Sequence, residues 1–250
     1  KEMGDDRYYC VYTELENGEY VYSRVVQYSP KKYAFNMLGK ASTTAKQKIL
    51  CVAMLNYGTA AQEYFDYKTD DLMNAGLTAE QKAMVIPFDA ALFNGVQPVD
   101  GNKVGAFAST NTGFGTKKTA TVSFEGALAI NFYFPTTAAV DGDVTLYIWN
   151  PEDYAAVNQL DASNASKTIT MELQKDGRHW GQVQGIAAKN LDKTYYVAGV
   201  YTDAEGNTHC TGVVAYSLSK YCLNNANGNM GALAQATAMY GYYAAQYFEN

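Results

Sequence analysis

Basic charge is scarce in this chain. Its 250 residues hold 19 Lys and Arg against 25 Asp and Glu, a formal net charge of −6. A nucleic-acid-binding domain needs a basic face to meet phosphate, so no nucleic-acid partner is expected. An anionic membrane surface is disfavoured for the same reason. Long apolar runs are missing too. None approaches the ~20 residues that cross a bilayer, so no membrane insertion is expected. The opening Lys1-Glu2-Met3-Gly4-Asp5-Asp6 is polar, unlike a signal peptide, and reads as the start of a mature segment or of a piece of something longer.

Chemistry-bearing motifs are equally thin. The two histidines, His179 and His209, fall on different expected hairpins. Cys10, Cys51, Cys210 and Cys222 form no CxxC pair and occupy different positions in the repeat described below, so they read as small buried hydrophobes rather than zinc ligands or a disulfide framework. There is no HExxH, no GxSxG and no EF-hand loop. Gly113-Phe114-Gly115-Thr116-Lys117 lacks the GxxxxGK[ST] spacing of a phosphate loop. Asp and Glu are scattered, and a glycosidase pair could arise only by tertiary arrangement. No catalytic residue, cofactor or metal is expected, and the chain reads as a non-enzyme.

What is abundant is tyrosine, 22 residues of it, and the tyrosines mark a repeat. Tyr57-Gly58-Thr59-Ala60-Ala61-Gln62-Glu63-Tyr64-Phe65 returns as Tyr240-Gly241-Tyr242-Tyr243-Ala244-Ala245-Gln246-Tyr247-Phe248, at a shift of 183. Leu50, Ala53, Tyr57, Ala61, Tyr64 and Phe65, and their counterparts Leu233, Ala236, Tyr240, Ala244, Tyr247 and Phe248, form one helical stripe in each copy. Upstream, Tyr28-Ser29-Pro30-Lys31-Lys32-Tyr33 matches Tyr216-Ser217-Leu218-Ser219-Lys220-Tyr221 at a shift of 188. Tyr8-Tyr9…Tyr12-Thr13 loosely matches Tyr195-Tyr196…Tyr201-Thr202. A unit of hairpin, helix and helix occurs twice.

In chain order, residues 7–28 read as a hairpin about Asn17-Gly18. A lone hairpin is marginal in water. It therefore either packs on the first helices or remains from a lost sandwich. Ser29 caps a helix that Pro30 opens and Gly39 ends. Thr43 or Thr44 opens the next, Thr69-Asp70-Asp71 suggests a short third, and Thr78 to Gln81 has capping-box spacing. Beyond Pro87 apolar and polar residues alternate. Strands are predicted over Gly105–Ser109, Thr119–Phe124, Ala127–Phe134, Asp143–Trp149, Lys167–Leu173, Trp180–Ile186, Tyr195–Thr202 and His209–Tyr216. Turns are predicted at Glu125-Gly126, Asp141-Gly142, Asp176-Gly177 and Glu205-Gly206-Asn207. Ser217 and Asn229 are candidate caps for the last two helices. The expected fold is α+β, an antiparallel β-sandwich with a helical cluster. Its parts are residues 1–83 (hairpin plus helices), 84–216 (sandwich) and 217–250 (a helix pair packing on the first helices).

Both tryptophans lie near strand ends with polar escorts: Trp149-Asn150-Pro151-Glu152-Asp153-Tyr154 and Arg178-His179-Trp180-Gly181-Gln182. A flat ring with a polar tip suits the C–H face and hydroxyl rim of a sugar. Trp180 and His179 are the expected centre of a glycan site, with Trp149, Asn150, Asp153 and Tyr154 as a second wall. Trp149 reads equally as the core tryptophan of the sandwich. Tyr57, Tyr64, Tyr240 and Tyr247 are expected in the core. Tyr242 and Tyr243 stand off the stripe's centre, where one could line a groove.

The Tyr-Ser-x-x-x-Tyr segment, the helix ending Tyr-Gly-x-x-Ala-x-x-Tyr-Phe, and strands such as Ala129-Ile130-Asn131-Phe132-Tyr133-Phe134 resemble the β-sandwich-plus-helix surface modules of gut Clostridia, notably the starch-adherence (amylosome) proteins of Ruminococcus. The resemblance implies a non-catalytic, extracellular starch- or α-1,4-glucan-binding module at the bacterial cell surface, a monomer within a larger surface protein or complex. Such modules also occur in surface proteins of unknown role, so a structural or adhesion role with no glycan ligand stays open.

Overall fold

The computed structural model of the chain describes residues 5–110, 113–124, 127–137 and 139–248. Strands β1 (Arg7–Tyr9), β2 (Tyr12–Glu14), β3 (Tyr20–Tyr22) and β4 (Val26–Tyr28) form the first hairpin, β1 on β4 and β2 on β3. Gly18, at φ 80°, makes its turn. The hairpin does not pack on the first helices. Every residue of its four strands is exposed, and only its base is tethered, through Tyr28 against Tyr33, Asp6 on Lys32, and Asp5 on Tyr67 and Lys68.

Helix α1 (Pro30–Gly39) follows, capped by the Ser29 hydroxyl. Gly39 is its last helical residue, and Lys40 leaves in extended geometry, so no left-handed glycine cap forms. Helix α2 (Ala45–Phe65), capped by Thr44, is the centre of the helical part. One side meets α1 through Cys51, Val52 and Leu55. Another meets the sandwich through Tyr57 and Ala60. Its last turn runs out of cover, so Tyr64 and Phe65 are exposed rather than core. Thr69-Asp70-Asp71 forms turns, not a helix. The capping box at Thr78 and Gln81 opens a one-turn α3 (Ala79–Lys82).

The sandwich has two antiparallel sheets. One holds β5 (Thr119–Ser123), β6 (Ala129–Pro135), β10 (Arg178–Gln184) and β9 (Glu172–Leu173), in that order. The other holds β12 (Thr208–Cys210), β11 (Tyr195–Asp203), β7 (Val140–Trp149) and β8 (Lys167–Thr170), with β13 (Val214–Tyr216) also on β11. The stretch 167–173 is two strands, because Met171 crosses between the sheets: β8 pairs with β7 and β9 with β10. Asp141-Gly142 is not a turn. Both lie inside β7, where Gly142 (φ 77°) accompanies an irregularity in the pairing with β11. Gly105–Phe107 is a helical turn rather than a strand. Glu125-Gly126 lies outside the described residues.

Strand alternation fills the space between the sheets with Ile130, Phe132 and Phe134 from β6, Leu146 and Ile148 from β7, and Val197 and Tyr201 from β11. The same cluster continues into Tyr57 and Ala60 of α2, and into Leu218 and Cys222 of α5 (Leu218–Asn225) and Leu233 and Ala238 of α6 (Gly231–Phe248). Sheets and helices therefore share one apolar core. The two helix pairs pack together through α2 and α6, as the matching stripes require. Ser217 caps α5 through the Lys220 amide, whereas α6 begins two residues beyond Asn229.

Candidate functional site

Strand β10 splits the expected sugar site between two faces. Its even-numbered residues, Arg178, Trp180, Gln182 and Gln184, lie on the outer face of the four-stranded sheet. His179, Gly181 and Val183 point between the sheets and are buried, except that glycine offers no side chain. Trp180 lies opposite Tyr133 of β6, and Gln182 opposite Asn131. The indole N–H donates to Asn131 Oδ1 at 3.1 Å, and Gln182 Nε2 donates to the same oxygen at 2.8 Å. Asn131 Nδ2 in turn donates to Ser123 Oγ at 2.9 Å. Gln184 Nε2 donates to the side-chain oxygen Oε1 of Gln182. Arg178 closes the other end, its guanidinium 4.6 Å from the centre of the Tyr133 ring and its charge paired with Asp176. The result is a half-buried tryptophan held in orientation by a chain of amides and hydroxyls.

That chain leads into an open groove of about 520 Å³ between sheet and helices. Ser123, Gln182 and Gln184 supply its polar wall, and Tyr64, Phe65 and Tyr221 its aromatic one. Tyr64 and Phe65 meet edge to face at 5.0 Å on the last turn of α2. Tyr221, on α5, packs against Phe124, and desolvation raises its pKa, which keeps the phenol neutral. Among the described residues no Asp, Glu, Lys or Arg lines the groove. Its chemistry suits a neutral ligand with an apolar face and many hydroxyls.

The second wall does not form. Trp149 lies on the outer face of the other sheet, so the two tryptophans are separated by the whole sandwich. The segment around Phe107 folds over Trp149, with the rings 4.8 Å apart, and leaves it fully buried. Its N–H donates to Asn164 Oδ1. Of the two roles open for Trp149, the structure places it in the core. Tyr154 stacks on Tyr196 at 3.4 Å, under Lys103 on its other side. Asn150 caps α4 (Pro151–Ala156) through the Asp153 amide, and the Asp153 carboxylate accepts from Ser166. All four are held by contacts within the fold.

His179 is also removed from the outer face. It is 8% exposed, and its Nδ1 has no hydrogen-bond partner among the described residues. Desolvation lowers its pKa, opposed in part by a hydrogen bond to the Phe134 backbone. Tyr243 is buried, its hydroxyl accepting from the Ile86 amide. Tyr242 is half-buried beside Phe93 in a separate groove with Leu191 and Asp192. Of the eight expected residues, only Trp180 lies on the sheet face that leads to the groove.

Sequence reasoning passed over Gln182, Gln184, Tyr64, Phe65 and Tyr221, which line the groove, and Asn131, which holds Trp180. One signal was available. Asn131 interrupts Ala129-Ile130-Asn131-Phe132-Tyr133-Phe134, and an amide in so apolar a strand marks a polar position on the outer face.

Among the described residues no group of three His, Cys, Asp or Glu could hold a metal ion, and no helix is long and apolar enough to cross a membrane. No family model and no curated protein matches the chain. Among solved structures, it is similar to a Br derivative of the carbohydrate-binding module BhCBM56, at 15% identity over 42% of this chain and 97% of that one. The TM-score of 0.28 makes that overlay too loose to carry weight about fold or ligand.

Proposed function

We propose that the chain is a non-catalytic carbohydrate-binding module, and that its glycan lies along the outer face of the four-stranded sheet from Trp180 into the groove beside Tyr64, Phe65 and Tyr221. The observation that carries this reading is the groove walled by aromatic rings on one side and by Ser123, Gln182 and Gln184 on the other, with no charged side chain among its described lining residues, on the sheet face where Asn131, bonded also by Gln182, holds Trp180. Fixing the polar groups beforehand lowers the ordering cost of binding. Starch is the favoured glycan and the bacterial cell surface the favoured location, both on the resemblance of the repeated helices and strands to starch-adherence modules. Affinity electrophoresis in amylopectin, with cellulose-derived and mixed-linkage glucan gels as controls, tests the reading. Retardation in amylopectin alone supports it, and unaltered mobility in every gel overturns it.

A structural or adhesion role is the second reading. The exposed first hairpin favours it, because a bare two-stranded ribbon is a ready surface for another polypeptide.

A further inference from the structure

The first hairpin is a geometric copy of the sandwich's last one. All six of its residue pairs recur at a shift of 188. Arg7↔Tyr28, Tyr8↔Gln27 and Tyr9↔Val26 become Tyr195↔Tyr216, Tyr196↔Ala215 and Val197↔Val214. Tyr12↔Tyr22, Thr13↔Val21 and Glu14↔Tyr20 become Val200↔Cys210, Tyr201↔His209 and Thr202↔Thr208. The break between the two halves is copied as well. The Val11 amide donates to Ser23 Oγ at 3.0 Å, and the Gly199 amide to Thr211 Oγ1 at 2.9 Å. The turn glycines, Gly18 and Gly206, sit at φ 80° and 82°. Ser29 and Ser217 then cap the following helices.

The surroundings differ completely. In the second copy β7 pairs along β11 from Tyr196↔Trp149 to Val200↔Thr145, and most of the hairpin is buried. In the first copy no strand pairs with the outer edge of β1 or β2 among the described residues, and Tyr8, Tyr9, Val11, Tyr12, Val21 and Val26 are each 47–75% exposed. Tyr33 shows the same contrast. It is 36% exposed, whereas its counterpart Tyr221 packs against Phe124 of the sandwich.

We infer that the first hairpin is the closing hairpin of a second antiparallel sandwich, and that its β1–β2 edge and its Tyr9–Val11–Val26 face dock onto that sandwich as β11 and β13 dock onto β7 and β6. The repeat also supplies the order. The strands that receive the hairpin stand N-terminal to it on the same polypeptide, as β5 to β10 stand before β11. A second copy of residues 119–194 is not the occupant. Val11 takes the place of Gly199, where even a Cβ would lie 2.7 Å from the Phe134 ring. The receiving sandwich has a smaller side chain at that position.

The test uses the whole chain and a synthetic strand with the sequence of residues 140–149, made with one cysteine in place of Leu146, Tyr147 or Ile148. Cys10 is exposed and its thiol is free. Its counterpart Ala198 pairs with Tyr147. Docking in the inherited register brings Cys10 against position 147, while 146 and 148 point to the opposite face. The expected result in a thiol–disulfide buffer is disulfide trapping at 147 at least about tenfold faster than at 146 or 148, since only paired Cβ atoms satisfy disulfide geometry. Equal trapping at all three positions, or none, overturns the inference. So does preferential joining of two copies of the whole chain through Cys10, which makes the partner a second copy.

Discussion

Tyr57 and Tyr240 occupy the same position in the two copies of the repeat, and their rings stack on one another, 5.6 Å between centres and 10° between planes. The two helix pairs therefore join through equivalent residues. Tyr57 is 8% exposed and its hydroxyl donates to the Phe124 carbonyl, which ties the helix junction to the end of β5. Tyr57→Ala and Tyr240→Ala should each cost about 3–5 kcal/mol, as for other large-to-small changes in a core. In a double-mutant cycle by urea denaturation, the double variant should lose about 0.5–1.5 kcal/mol less than the sum of the singles, the coupling of a stacked pair. Strict additivity would show that the stack itself contributes nothing.

The two tryptophans should respond in opposite ways. Trp149 is enclosed by Phe107 and Tyr147 and bonded to Asn164. Trp149→Ala should lose about 3–5 kcal/mol and several degrees in Tm. Trp180 is half-buried on an outer sheet face. Trp180→Ala should keep Tm within a few degrees yet weaken glycan binding roughly ten- to a hundredfold, the equivalent of 1–3 kcal/mol of lost ring contact. Normal glycan binding by Trp180→Ala would move the site off this face.

The hairpin copies give a matched pair of substitutions. Tyr8 is 67% exposed, while Tyr196, its counterpart, is 5% exposed and stacked on Tyr154. Tyr8→Ala should change stability by no more than about 0.5 kcal/mol. Tyr196→Ala should cost about 3–5 kcal/mol. Calorimetric melting of both variants checks the contrast, and equal losses would mean that the first hairpin is packed in solution.

Acid sensitivity should have two separable sources. His179 has a folded pKa depressed below 6.5 by burial. Below pH 6.5 the unfolded chain binds a proton that the folded chain resists, so stability falls as pH drops from 6.5 toward the folded pKa. His179→Phe should flatten that limb of the stability curve. Asp203 has its pKa lowered from 3.8 to about 2, first by its bond to His209 and then by the Asn207 and Glu205 groups. Its contribution is present above pH 3.8 and lost as pH falls through about 2. Asp203→Asn should therefore be less stable than the parent at pH 6, with the gap closing between pH 4 and 2 in urea titrations.

Much of the fold was written in local pattern. The Asn17-Gly18 turn, the Ser29, Thr44, Thr78 and Ser217 caps, and most sandwich strands follow from turn chemistry, capping and alternation, which act within a few residues. The repeat announced that two helix stripes would meet, because stripes of the same shape needed a common partner. Several features were beyond that reach. Met171 lets one strand-like run serve two sheets. Gly142 makes a bulge where Asp-Gly suggests a turn. Tyr64 and Phe65 at the end of α2 remain uncovered although their stripe predicts burial.

The site divided along the same line. Sequence alone determined that Trp180 alternates with His179 and Gly181, so one of each pair had to face outward. It also determined that aromatic rings with amide and hydroxyl escorts were the chain's main surface chemistry. Only the tertiary structure decided which tryptophan would stay uncovered. Both sit in alternating strands with polar neighbours, and local sequence treats them alike. The difference comes from distant segments: residues 97–110 and α4 fold over the sheet that carries Trp149, whereas the face that carries Trp180 is left open and runs on toward the helices. The same holds for the two hairpins, which share a register residue for residue. One is buried and the other bare because burial depends on what else the chain brings alongside, and strand pairing by itself does not supply it.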